Sequence, residues 1–237
     1  MLITALLFAV ASVPTFLLLR ERKTARATAP IPVWARVAGT LRQLRGSGPY
    51  RDMRRFMVCV VFYQAGIQAV IALAAIYAVK AMGFTTRETI GLIFVVNITA
   101  AIGAFGYLQD RIGHRRAIAL TLAGWIVMIL LAWAATRPPL FWLAANIAGL
   151  CLGASQSAGR ALVGYLAPPD RHGEFFGLWG LAVKLSSILG PLTYGAVTWL
   201  SGGDHRLAIL ITGSYFVVGL VILAGVDAER GHRSAQS

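Results

Sequence analysis

Asn146, Gly149, Gly153, Gln156 and Arg160 follow one another at three- and four-residue steps, the spacing that brings side chains onto one face of a helix. Two amides and a guanidinium aligned in an otherwise apolar stretch can bind a small anionic or zwitterionic solute, because polar groups inside a membrane are expensive unless they serve a pathway. The same stripe also reads as a packing surface, with Gly149 and Gly153 forming a G-x-x-x-G contact. Arg160 lies about eight residues from the nearer end of its run, or ~12 Å, so its head can also snorkel to the interface. Lys184 supplies a second cation nine residues into another run, ~14 Å deep and close to a midplane. Ser187 lies one turn on, and Gly190-Pro191 follow, where the missing proline N–H frees a backbone carbonyl. Tyr63, Gln64 and Gln68 in an earlier run, and Asn97 in the next, complete the polar set; each amide serves equally as an interhelical hydrogen bond.

These apolar runs hold two cations and no Asp or Glu. An unpaired cation in hydrocarbon is unfavourable, so something must neutralise each of them. The choices are lipid phosphate, a carboxylate from outside the chain, or the solute. The last fits an anionic or zwitterionic cargo and disfavours a metal-ion carrier, which needs oxygen or soft ligands.

A second polar constellation runs from Gly106 through Asp110, Arg111, Gly113, Arg115 and Arg116. It packs a carboxylate and three guanidiniums into a turn barely long enough to join two helices. Gly106 permits close backbone approach, Gly113 allows the turn, and Asp110 can accept charge-assisted bonds or face a helix N-terminus. Other chemistry has no parts. His114, His172, His205 and His232 fall in loops divided between the two membrane faces, so no metal set is visible, and neither a P-loop nor a nucleophile elbow occurs. Cys59 and Cys151 sit in apolar runs as small packing residues. Neither enzymatic activity nor a cofactor or metal is expected.

The elements that must carry these residues follow from composition. Charged residues make up 13% of the 237, against a usual figure of about 25%, and 57% are hydrophobic. Neither a soluble fold nor a disordered chain accommodates that balance. Runs without a charged residue or histidine cover 2–19, 56–79, 90–108, 117–136, 140–159 and 207–226, each near the ~20 residues an α-helix needs to cross the hydrocarbon. A seventh, 175–200, is broken only by Lys184, and the run from 140 extends past Arg160 to Ala167. The expected fold is therefore all-α and multi-pass, with about seven transmembrane helices. Residues 1–19 read as a retained helix rather than a signal peptide, because no basic segment precedes them and Arg20 to Lys23 follow. Residues 20–55 read as a basic linker with a short interfacial helix, acting as a coupler of two bundles or a tether on anionic lipid. Residues 56–226 form a six-helix bundle and 227–237 a tail.

The net charge of +13 is topological rather than a sign of nucleic-acid binding, for which no role is expected. Sixteen of the 22 cationic residues fall on one side of the seven spans and four on the other. By the positive-inside rule the richer side is cytoplasmic, with Met1 outside and the C-terminus inside.

The order G-x-x-x-D-R-x-G-x-R-R from Gly106 to Arg116 resembles the cytoplasmic gate-loop signature of the major facilitator superfamily. Tyr63-Gln64-Ala65-Gly66, Gly153 to Arg160, Glu174-Phe175-Phe176-Gly177-Leu178, Gly190-Pro191 and Arg206 resemble, in that order, the C-terminal half of its vacuolar effluxer-like branch. That branch comprises autophagy-linked amino-acid exporters and their bacterial relatives. The resemblance implies that six of the helices form one major-facilitator-type half bundle, that residues 1–19 belong to the other half, and that 20–55 join the two. It implies secondary transport of a small solute by alternating access, amino acids among the candidates, with Tyr63, Gln64, Gln68, Asn97, Asn146, Gln156, Arg160, Lys184 and Ser187 along the pathway. Ala65 departs from the family pattern, which carries an aspartate there, and this weakens any proton or cation coupling at that position. The expected partners are the lipid bilayer, the solute, and a missing or separately encoded N-terminal bundle or a second copy. The few lysines and short loops fit a bacterial inner membrane. Two other readings stay open: a seven-helix receptor or photoreceptor-like protein with Lys184 as a Schiff-base lysine, and a non-transporting remnant that keeps the bundle.

Overall fold

In the computed structural model, residues 2–18, 50–103 and 111–236 are described. The first apolar run forms α1 (Leu2–Leu18), 17 residues with Pro14 inside; it is a unit by itself. The expected interfacial helix within 20–55, like Gly106 and Asp110, lies outside the described residues.

Six helices long and apolar enough to cross a membrane follow: α2 (Arg51–Met82), α3 (Thr86–Gly103), α4 (His114–Ala134), α5 (Pro138–Leu166), α6 (His172–Leu200) and α7 (His205–Ala224). A short amphipathic helix, α8 (Ala228–Gln236), ends the chain where the sequence suggested only a tail. The protein is an all-α, multi-pass membrane protein. Each charge-free run falls on one span, and each of these six helices begins two to five residues before its run, while α4 and α7 stop two residues short of theirs. α5 passes Arg160 without a break, and α6 continues through Pro191 to Leu200.

The turns are set by local chemistry. Gly83, at φ 71°, closes α2: its N–H donates to the Val79 carbonyl at 3.2 Å and the Phe84 N–H to the Ala78 carbonyl at 3.0 Å, a left-handed cap that side chains resist. Thr85 and Glu88 start α3 reciprocally: the Thr85 N–H donates to the Glu88 carboxylate at 2.8 Å and the Glu88 N–H to the Thr85 hydroxyl at 3.3 Å. Asp204 caps α7 by accepting from the N–H groups of Arg206 and Leu207, each at 2.9 Å.

Helices alternate in direction, so one end of the bundle collects Tyr50, Arg115, Arg171 and α8 (the basic end) and the other Arg137 and Arg206. α2 packs on α6 and α7, α3 on α5, and α4 on α5 and α7. In lipid, association rests on close packing and hydrogen bonds rather than on hydrophobicity. Gly190 brings α6 against the Ala65 carbonyl of α2, and Gly149 brings α5 against Thr99 and the Val96 carbonyl of α3; a methyl at either position would overlap those atoms. Trp125 of α4 stacks on Phe216 of α7 at 5.1 Å and 5°. Burial is uneven: half of α2's most apolar stretch is enclosed, against 17% for α3 and 22% for α6.

Candidate solute pocket and helix-end clamps

One open pocket, about 620 Å³, lies between α5 and α6 in the basic half of the bundle. Its lining includes Gly153, Gln156, Ser157 and Arg160 from α5 and Phe176 from α6. Arg160 is six residues from the end of α5, roughly 9 Å along the axis. Its guanidinium is exposed and rests over the Trp179 ring at 5.4 Å, and it makes no ion pair among the described residues. Gln156, one turn earlier, donates to the Gln64 carbonyl oxygen at 3.4 Å, a long bond that ties α5 to the buried amide of α2.

Behind that pair three polar atoms are enclosed without a hydrogen bond: the Tyr63 hydroxyl, the Gln64 amide nitrogen and the Trp179 indole nitrogen. The Tyr63 hydroxyl sits beside both other groups and against Gly159, where a methyl would come within 2.6 Å of it. The Gln64 and Trp179 donors converge on that hydroxyl in imperfect geometry, so the three enclosed atoms serve one another, beside the Arg160 pocket that none of them lines.

The sequence-selected residues therefore separate. Tyr63, Gln64, Gln156 and Arg160 come together. Gln68 is half-buried and Lys184 exposed, and neither lines this pocket, so the cation at the greater depth stands apart from the one in the groove. The amides of Asn97 and Asn146 donate to carbonyls of their own helices, Ile93 and Trp142, each at 2.8 Å, and the Ser187 hydroxyl to Lys184 at 2.7 Å. Of the G-x-x-x-G pair, Gly149 contacts α3 while Gly153 faces the pocket. Trp179 was not anticipated, since an aromatic residue in an apolar run reads as core. Ser186 was passed over for Ser187, yet it is Ser186 that links helices, donating to the Val61 carbonyl at 2.8 Å.

A second cavity, about 220 Å³ and largely apolar, lies between α2, α3, α4, α5 and α7 and includes Asn97, Trp125 and Thr212 in its wall. Thr212 donates to Ala208, Tyr77 to Ala132 and Tyr194 pairs with His205. Only the Trp125 N–H among its enclosed polar atoms lacks a partner. The larger open pocket, not this chamber, carries the charge.

The remaining guanidiniums that the structure partners sit at helix ends. Asp52, in the first turn of α2, accepts from Arg230 Nε and Nη2 at 2.8 and 2.7 Å and from the Asp227 N–H at 3.0 Å. The Asp52 carboxylate pushes the Arg230 guanidinium above its ordinary value. Arg55 and Arg115 donate to the last carbonyls of α7, Gly225 at 2.7 Å and Ala224 at 2.9 Å. His232 bonds the Tyr165 carbonyl at 2.7 Å and stacks on its ring at 4.1 Å. Of the gate-loop set, Arg115 thus caps a helix, Gly113 takes φ 84° ahead of α4, and Arg111 and Arg116 are exposed. At the opposite end Arg206 donates to the Trp133 and Ala135 carbonyls, capping α4.

Among known proteins, the profile of the family described as vacuole effluxer Atg22 like matches residues 1–236. The uncharacterized MFS-type transporter YxiO of Bacillus subtilis is 26% identical over 196 residues, 82% of this chain and 45% of that protein. Autophagy-related protein 22 of Kluyveromyces lactis is 25% identical over 204 residues, 78% of this chain and 40% of that protein. A Na(+), Li(+), K(+)/H(+) antiporter of Planococcus maritimus is 24% identical over 181 residues, 73% and 41%. The chain spans less than half the length of these curated relatives. With its helical bundle and the profile match along nearly all of its length, the chain belongs to the vacuole effluxer Atg22-like family.

Proposed function

We propose that the chain supplies one bundle of a secondary transporter that moves a small zwitterionic or anionic solute, amino acids among the candidates, by alternating access. The observation that carries this reading is the Arg160 pocket: a guanidinium between two membrane-length helices with no ion pair among the described residues, and Gln156 beside it. Such a group persists in a membrane where it meets a ligand. The family description supports efflux as the direction. Cation exchange, the activity printed for the Planococcus relative, fits less well, since the apolar runs contain no carboxylate.

In this reading α2 to α7 rock as a unit against a first bundle, to which α1 belongs, around a site at their interface. The poorly enclosed faces of α3 and α6 are the surfaces such a bundle would cover. Charge asymmetry supports a cytoplasmic basic end, and the few lysines and short loops fit a bacterial inner membrane. No bond is made or broken, so the chain acts as a carrier rather than an enzyme. The test is efflux of labelled amino acids and small carboxylates from proteoliposomes holding this chain with a six-helix partner bundle. Transport abolished by Arg160→Ala is expected. No transport of any solute in the wild type, or unchanged transport in the variant, would overturn the reading.

A further inference from the structure

We infer that the Arg160 pocket selects its ligand by an oxyanion alone, so that this bundle takes small monocarboxylates whether or not they carry an ammonium group. The inference rests on the reading of that pocket as the solute site and narrows it. Arg160 brings five N–H donors and a full positive charge that no carboxylate among the described residues neutralises. Glu174, in the first turn of α6, is engaged by Arg171 through Nε at 2.9 Å and Nη2 at 2.6 Å. Behind the wall, enclosed and not lining the pocket, lie the amide nitrogen of Gln64 and the indole N–H of Trp179, donor-only groups that meet at the Tyr63 hydroxyl. The oxygen of Gln64 is already taken by Gln156.

An ammonium group has three protons to place and would stand beside an unneutralised guanidinium. Only neutral acceptors face it on the pocket wall, the Gln156 carbonyl and the Ser157 hydroxyl. A carboxylate instead accepts from Arg160 in a forked, charge-assisted arrangement and can draw Gln156 out of its long bond to Gln64. Trp179 backs the guanidinium on its ring face, which fixes the plane in which that fork is offered. Recognition on this half is therefore of charge and of oxygen geometry.

The purified 237-residue chain in nanodiscs tests this with three isosteric probes at constant ionic strength: sodium propionate, propionamide and propylammonium chloride. Binding is read from tryptophan fluorescence and from the thermal unfolding midpoint. Propionate is expected to bind saturably, with the amide and the amine weaker by about tenfold or more, the usual weight of one charged hydrogen bond. Arg160→Gln should cost propionate at least about tenfold while the variant remains folded, and Arg160→Lys should recover part of it. Propylammonium binding as tightly as propionate, propionate binding unchanged by Arg160→Gln, or no saturable propionate binding would each overturn the inference. Its fate separates from that of the transport reading. Propionate selectivity without efflux in the reconstituted pair leaves this inference standing and removes the carrier; efflux of a zwitterionic amino acid without propionate binding does the reverse.

Discussion

Five arginines of this bundle divide between two regions with opposite bonding. At the helix ends, Arg55, Arg115, Arg206 and Arg230 each donate to a carbonyl or carboxylate at 2.9 Å or less. Between α5 and α6, Arg160 ends on a ring face and an open pocket, with three enclosed polar atoms unbonded nearby. The chain is able to satisfy a guanidinium where it serves the fold. The contrast teaches that a cation without an ion pair is informative when it lies within a membrane-length span, beside a pocket, rather than at a helix end.

The comparison can be broken most directly at its poorer side. Arg160→Ala should lower solute efflux by more than about tenfold, the weight of one charged contact, with an unfolding midpoint equal to or above that of the wild type. A large fall in that midpoint would show that Arg160 is structural after all. On the richer side, Asp52→Ala removes the acceptor of three bonds and should lower the midpoint by roughly 5 °C, with propionate binding intact. Gln64→Leu sharpens the contrast, since an apolar replacement removes an enclosed amide whose one described hydrogen bond, from Gln156, is long at 3.4 Å. It should be close to neutral for stability, within about 1 kcal/mol, and yet weaken solute binding. The smallest effect separates two adjacent hydroxyls: Ser186→Ala should cost about 1 kcal/mol through its lost bond to Val61, whereas Ser187→Ala, whose hydroxyl bonds only its own helix, should leave denaturation unchanged.

Much of the fold was legible because hydrocarbon imposes one rule on the backbone and a fixed length on each span. Runs free of charge therefore located each of α2 to α7, with ends off by up to about two turns. The family motifs were legible as well, but several of them carried a different physical meaning from the one their residue types suggested. Arg206 and Arg115 finish helices. Gly159 and Gly190 let backbones and ring hydroxyls approach. Asn97 and Asn146 turn back on their own helices, which no spacing rule distinguishes from a partner across a groove. Helical spacing ranks residues by face and cannot tell which face meets a neighbour, so Ser186 and Ser187 were indistinguishable until the position of α2 was known. Trp179 and α8 escaped for another reason: an aromatic in an apolar run and a polar stretch after the final span are the commonest things in such a chain, and their roles come only from what they touch.

Docking of α8 has a mechanical consequence. Through Arg230 and Asp227 it holds the start of α2, through His232 it holds the end of α5, and the adjoining Ala224 and Gly225 carbonyls are gripped from α4 and α2. Four of the six membrane-length helices are thereby stapled at one rim. Splaying them apart there requires breaking several charged bonds at once, so a displacement applied to α2 is transmitted to the whole group like a push on one stave of a hooped barrel.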